Sequence, residues 1–181
     1  MPMIGGVETG IPLKAPALLC DEMLLGLGRW LRAAGYDTAL PAVGQSDRQL
    51  VEQARSEQRL LLTRDTRMPQ IRHAGEVLIL LNGNDLPEWA AELAVNPGID
   101  WLLNPFSRCL SCNRPLREGS GGFAVAPWVT MQREPVWHCP ACRRAYWHGG
   151  HVERMRARLQ MLAEAGEQAC RRRGQDVIPP G

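Results

Sequence analysis

No stretch of this chain is apolar for long enough to cross a bilayer. Its purely apolar runs span only a few residues, against the roughly 20 that a membrane helix needs. The opening MPMIGGVETGIPLKAPALL lacks a basic segment followed by an apolar one, so it does not read as a signal peptide. Internal repeats are lacking, which excludes solenoid and propeller arrays. Lysine is scarce: of 21 basic side chains, 20 are Arg. Arg suits two-pronged phosphate contacts, although genome composition produces the same bias. A soluble cytoplasmic protein with no membrane partner is the expectation. At 181 residues and 45% hydrophobic, the chain has material for one or two packed domains and is too apolar for a disordered one.

Charge divides unevenly. Residues 1–106 hold 9 basic and 13 acidic side chains, whereas residues 107–181 hold 12 and 6. This split fits an acidic, cation-binding part joined to a basic, phosphate-binding part.

Residues 1–16 are Gly- and Pro-rich and read as a flexible leader. From residue 17 to 106 short apolar runs alternate with helical patterns. Strands are expected at Ala17–Cys20, Asp37–Val43, Leu60–Thr63 and Glu76–Leu81. Helices are expected over Glu22–Gly35, from Ser46–Asp47, and from Asn84–Asp85. Such alternation predicts an α/β domain whose parallel sheet carries helices on both faces. Asn96-Pro97-Gly98 then breaks the pattern. Residues 107–150 are rich in Cys, Trp, Gly and Arg, residues 151–173 read as a terminal helix, and residues 174–181 as a frayed tail.

The second region carries the strongest chemical signal. Cys109-Leu-Ser-Cys112 and Cys139-Pro-Ala-Cys142 are two CxxC pairs. Each pair turns two thiolates to one side of a knuckle, and two knuckles close the tetrahedral sulfur shell that zinc prefers. With all four positions taken by sulfur, such a site is structural, because catalytic zinc keeps an open position. A redox pair is disfavoured by the duplication and the Gly/Pro/Trp-rich context. Cys20 reads as a small core residue, and Cys170 has no assigned role.

Carboxylates mark the first region. Asp21, Asp65 and Asp85 fall at or just beyond the C-terminal ends of expected strands, and Asp47 opens a helix over the same edge. Open parallel sheets bind ligands there. Carboxylates that converge need a cation, and oxygen-only ligation selects Mg²⁺ or Mn²⁺. Competing structural roles exist. Asp85 begins a variant capping box, Asp47 can complement a helix dipole, and Asp65 can cap a turn. Asp21 follows a buried strand, where an acid without a partner is costly. Arg29, Arg32 and Arg64 could hold phosphate or pair these acids. Arg108, Arg114, Arg143 and Arg144 flank the knuckles, and Trp137, Tyr146 and Trp147 could stack bases or fill a small core. His148 and His151 could contact RNA or seat the terminal helix.

Cys20-Asp21-Glu22-Met23-Leu24, GRWLRAAGYD (28–37), LLLTRD (60–65), SRCLSCNRPL (107–116), CPAC (139–142) and YWHGGHVERM (146–155) follow one another in order. Together they resemble the Mut-seven C-terminal RNase domain family. The resemblance implies a PIN-like domain followed by a zinc ribbon. It also implies a Mg²⁺- or Mn²⁺-dependent ribonuclease with acids at Asp21, Asp47, Asp65 and, as nearest match, Asp85. Structural zinc would sit on Cys109, Cys112, Cys139 and Cys142. RNA contacts are expected at Arg29, Arg32, Arg64, Arg108, Arg143, Arg144, Trp147, His148 and His151. The alternatives are a non-catalytic RNA- or ribosome-binding adaptor and a protein-interaction module.

Overall fold

The computed structural model describes residues 15–123 and 135–176. Most of the expected leader, part of the four-cysteine region and the end of the tail therefore lie outside the described residues. Four short parallel strands form one sheet: β1 (Leu18–Cys20), β2 (Thr38–Ala39), β3 (Leu60–Thr63) and β4 (Leu78–Leu80). Their order is β2-β1-β3-β4. Leu18 pairs with both Thr38 and Leu60, and Cys20 pairs with Leu62. The expected second strand contracts to two residues at the sheet edge.

Side chains alternate across this sheet, as the two-residue strand period requires. Leu18, Cys20 and Leu62 face one core with Leu24, Leu27, Leu31 and Leu93. Leu19 and Leu61 face the other with Leu50, Val51 and Ala54. The first core is covered by α1 (Leu25–Ala34) and α3 (Leu86–Val95), the second by α2 (Asp47–Ser56). Helices thus lie on both faces, as expected.

Local signals set the helix ends. Ser46 and Gln49 form a reciprocal capping box at the start of α2. Asp85 accepts the Glu88 N–H at the start of α3. Gly35 ends α1 in the left-handed region at φ 106°, and a Cβ there would lie 2.5 Å from the Asn104 carbonyl oxygen. Only glycine suits that position, since the returning segment lays Asn104 and Phe106 N–H groups onto the Ala34 and Ala33 carbonyls.

The second sheet is antiparallel, in the order β5 (Arg117–Glu118), β6 (Val136–Cys139), β7 (Arg144–Trp147). It leads into α4 (Gly150–Asp176), a helix three residues longer at its C-terminal end than the sequence pattern suggests. Leu159 and Leu162 of α4 are buried in the first core, so this helix returns from the second sheet to pack on the α/β domain. Each buried leucine contributes about 1.5–3 kcal/mol.

The first CxxC knuckle is bolted to the N-terminal edge of the parallel sheet. Arg32, expected on a phosphate, is instead buried. Its guanidinium donates to the carbonyls of Thr38, Leu110 and Ser111 at 2.9, 3.0 and 2.8 Å. Arg108 is similarly committed, donating to the Gly35 and Asn113 carbonyls. Asn113 completes the joint. Its side-chain oxygen accepts the Thr38 N–H, and its amide donates to Asp37, which also pairs with Arg59 at 2.8 Å. Arg32 and Arg108 thus join the two parts of the chain rather than reaching for RNA.

Arg32→Met should therefore strand buried carbonyls, each costing about 1–3 kcal/mol. A thermal melt is expected to show a lower Tm and an early loss of the four-cysteine region. An unchanged melt would remove this joint from the account. The same joint should loosen in acid. Burial raises the Asp37 carboxyl, but hydrogen bonds and charge from Arg59, Asn113 and Arg108 outweigh it and hold the group below its ordinary range. Its contribution is present above the unfolded-state value and fades as pH falls through the folded one. Asp37→Asn should flatten that part of the acid-unfolding curve.

Candidate functional site

Two connections leave the parallel sheet in opposite senses at β1 and β3. The helix after β1 lies on one face and the helix before β3 lies on the other. Between these strands is the topological switch point, where open α/β sheets hold their ligands. Asp21 stands at the end of β1, and Thr63-Arg64-Asp65 stands at the end of β3. The Asp21 N–H extends the ladder to the Leu62 carbonyl, which places Asp21 beside Thr63. The Thr63 hydroxyl donates to Asp21 Oδ2 and accepts the Asp65 N–H at 3.0 Å. One hydroxyl therefore bridges the carboxylate of Asp21 to the backbone of Asp65.

Asp21 is only 4% exposed. Burial pushes its carboxyl above the ordinary range, against the Thr63 hydroxyl and the Met23, Arg64 and Leu24 N–H groups, which lower it. Asp65 differs. Its carboxylate accepts from the backbone and guanidinium of Arg67, which hold it low. Arg67 is exposed, and the charge of Asp47 also acts on it. Asp85 is exposed at the head of α3, in a loop tied down by Glu88 and Glu92. Arg64 spans toward that loop, 3.5 Å from Asn84 and over the Trp89 ring. In the strand order β2-β1-β3-β4, the acids that follow each strand in sequence are Asp47, Asp21, Asp65 and Asp85. Among the described residues they do not form a group of three or more with ligand atoms within 4.8 Å.

Sequence reading missed Thr63 and Arg67. Thr63 opens the TRD string and Arg67 lies two residues beyond it, but nothing in the string says that Thr63 faces Asp21. That follows only from β1 lying next to β3.

The cysteines do converge. Cys109, Cys112, Cys139 and Cys142 bring their sulfurs within 4.8 Å of one another. Cys109 to Cys142 is 3.9 Å and Cys112 to Cys139 is 3.4 Å, close to the ~3.8 Å edge of a tetrahedron with 2.3 Å zinc–sulfur bonds. The knuckles are built alike. Asn113 and Arg143, each just after the second cysteine, take left-handed φ values of 68° and 54°. Each returns its N–H to the first cysteine's carbonyl, at 2.9 and 3.0 Å. Burial raises the Cys109 thiol, yet hydrogen bonds from the Tyr146 hydroxyl and the Cys112 and Ser111 N–H groups bring it down to about 6. Cys142, hydrogen-bonded to Cys112, is pushed up to about 12. Crowded sulfurs share one charge in this way, and a divalent ion displaces the remaining protons. The donor set is that of a closed zinc site.

Of the remaining expected RNA contacts, Arg29, His148 and His151 are exposed and Trp147 is half-buried. Arg143 stacks on Phe123, and Arg144 donates to the Ser111 hydroxyl.

An acid-edged parallel α/β domain carrying a docked four-cysteine ribbon is the class that fold and site define. The chain belongs to the Mut7-C RNAse domain family, whose model matches residues 16–159. It is also 37% identical over 112 residues to the human exonuclease mut-7 homolog. That match covers 60% of this chain and 13% of the relative, so the chain spans a small part of that protein's length. No solved structure matches. The family match supports a nuclease role.

Removing the Asp21 charge should stabilise the protein free of divalent ions. With a carboxyl raised by burial, the folded state holds its proton more tightly than the unfolded state. Stability therefore falls as pH rises from the unfolded-state value through the folded one. Asp21→Asn is expected to raise Tm at pH 7 by about 2–4 °C, the shift that about 1 kcal/mol produces in a chain of this size. Calorimetry showing a lower Tm would mean that the carboxylate is satisfied without a cation. For the sulfur site, metal analysis should find about one zinc per chain. Cys139→Ser should lose it, together with the protection of the β5–β7 amides from hydrogen exchange.

Proposed function

We propose that this chain hydrolyses RNA phosphodiester bonds at the carboxyl edge, using Mg²⁺ or Mn²⁺ held by Asp21 and Asp65. The observation that supports this most is the buried Asp21 carboxylate at the switch point, linked through one hydroxyl to Asp65. Hard oxygen donors such as these carboxylates suit these ions. An ion held by these two carboxylates would supply positive charge for phosphate oxygens and would acidify an attacking water. The protein's part is positioning. Thr63 orients Asp21, Asp21 accepts the Met23 N–H at 2.8 Å in the turn that leads into α1, and Asp47 and Asp85 would complete the acidic set. Arg67 is 84% exposed and free to swing from Asp65 when a cation or phosphate arrives. Zinc at the four cysteines serves to hold the ribbon.

One observation favours a second reading, RNA binding without turnover. Asp65 is engaged by Arg67, and Asp85 caps α3. On that reading the edge is a folded remnant, and binding alone is salt-sensitive.

Labelled single-stranded RNA with Mn²⁺ separates the two. Wild type should cleave, while Asp21→Asn and Asp65→Asn should each lose about 100-fold or more in rate. Binding without cleavage by wild type would establish the adaptor, and equal cleavage by all three would end the assignment of these acids.

A further inference from the structure

Three elements that are distant in sequence enclose a cavity of about 400 Å³: the segment 104–108, the strands β6 and β7, and the first turns of α4. Its size falls within the range of small-molecule sites, about 300–1,000 Å³. Phe106, Trp137, Tyr146 and Trp147 give the wall aromatic surface, beside aliphatic side chains such as Leu110 and Met155. His148 and His151 supply polar edges, and the Trp137 and His148 rings lie 5.1 Å apart at 36°. No carboxylate lines it among the described residues. Outside the wall, the Arg156 guanidinium rests over Phe106 at 5.4 Å. Flat aromatic surfaces, ring nitrogens that donate or accept, and an adjacent fixed cation are the complement of a base with a phosphate beside it. Basic side chains outnumber acidic ones two to one over residues 107–181, which suits an anionic strand.

We propose that this cavity binds one unpaired RNA base, with the neighbouring phosphate on Arg156. This deepens the nuclease reading and rests on it for the identity of the ligand. The cavity abuts the end of α1 that meets the N-terminal sheet edge, whereas Asp21 stands at the other end. The 3-10 turn over residues 22–24 and the ten residues of α1 separate the two by roughly 20 Å. A strand engaged at both places is therefore single-stranded and extended between them, since a duplex keeps its bases stacked inside.

The test uses the full chain with its zinc, carrying Asp21→Asn so that cleavage does not consume the probe. The probe is a single-stranded oligoribonucleotide with one 2-aminopurine, whose fluorescence is quenched on stacking. Saturable quenching is expected, with affinity about tenfold weaker for Trp147→Ala and about fivefold weaker for His151→Ala. Partial recovery is expected with Trp147→Phe. His151 is exposed on the first turn of α4, so its variant keeps the fold, which zinc content and the melt verify. Arg156→Gln should weaken binding and reduce its salt dependence. Equal binding of single-stranded DNA supports the pocket, because base and phosphate are common to both strands. Unchanged affinity in the folded His151 and Trp147 variants, or duplex RNA competing as well as single strand, overturns it. Cleavage by the Asp21-containing protein is scored separately. A chain that cleaves while its cavity variants bind normally refutes the pocket alone, and quenching without cleavage refutes the nuclease reading alone.

Discussion

The lateral pairing of β1 with β3 is the constraint from which the rest of the α/β domain follows. With only three and four residues, these strands have few ladder bonds. What holds them is burial on both faces, Leu18, Cys20 and Leu62 toward one helix layer and Leu19 and Leu61 toward the other. A slip of one residue would turn every one of these side chains to the wrong core. The same register sets Asp21 beside Thr63. Burial of leucines thus positions an acid that burial itself disfavours.

That opposition is informative. Most of the chain's charged groups lie where water or an opposite charge meets them. Among the described residues, Asp21 is the acid driven toward protonation by desolvation, and it is held at the site where sheets of this topology take ligands. Asp65, two residues past β3, is paired with an exposed Arg67 at 3.3 Å. The edge combines one costly carboxylate with one satisfied by a side chain able to leave.

A second organising device is the first cysteine knuckle. Its carbonyls are read by Arg32 from α1, and its left-handed Asn113 is locked to β2 and Asp37. The sulfur cluster therefore organises more than the β5–β7 sheet. It presents rigid carbonyls to the α/β domain at the edge opposite the acids. Leu159 and Leu162 of α4 close the arrangement by returning into the first core.

The residue pattern by itself determined what short-range chemistry can determine. Alternating apolar runs place four strands and three helices, Ser46 and Gly35 mark helix ends, and the two CxxC spacings declare a tetrahedral sulfur site, because each of these depends on neighbours a few residues away. Asp21 was legible for the same reason, an acid directly after a buried run. Only the tertiary structure decided the roles that depend on who lies across a gap. Arg32 and Arg108 look like phosphate ligands in sequence, yet they bond carbonyls more than 70 residues distant. Thr63 looks like strand filler until β1 lies beside β3. The capping role of Asp85, by contrast, was legible, because its amide partner lies three residues on. Side-chain chemistry is local, but the identity of a partner is set by how the layers stack.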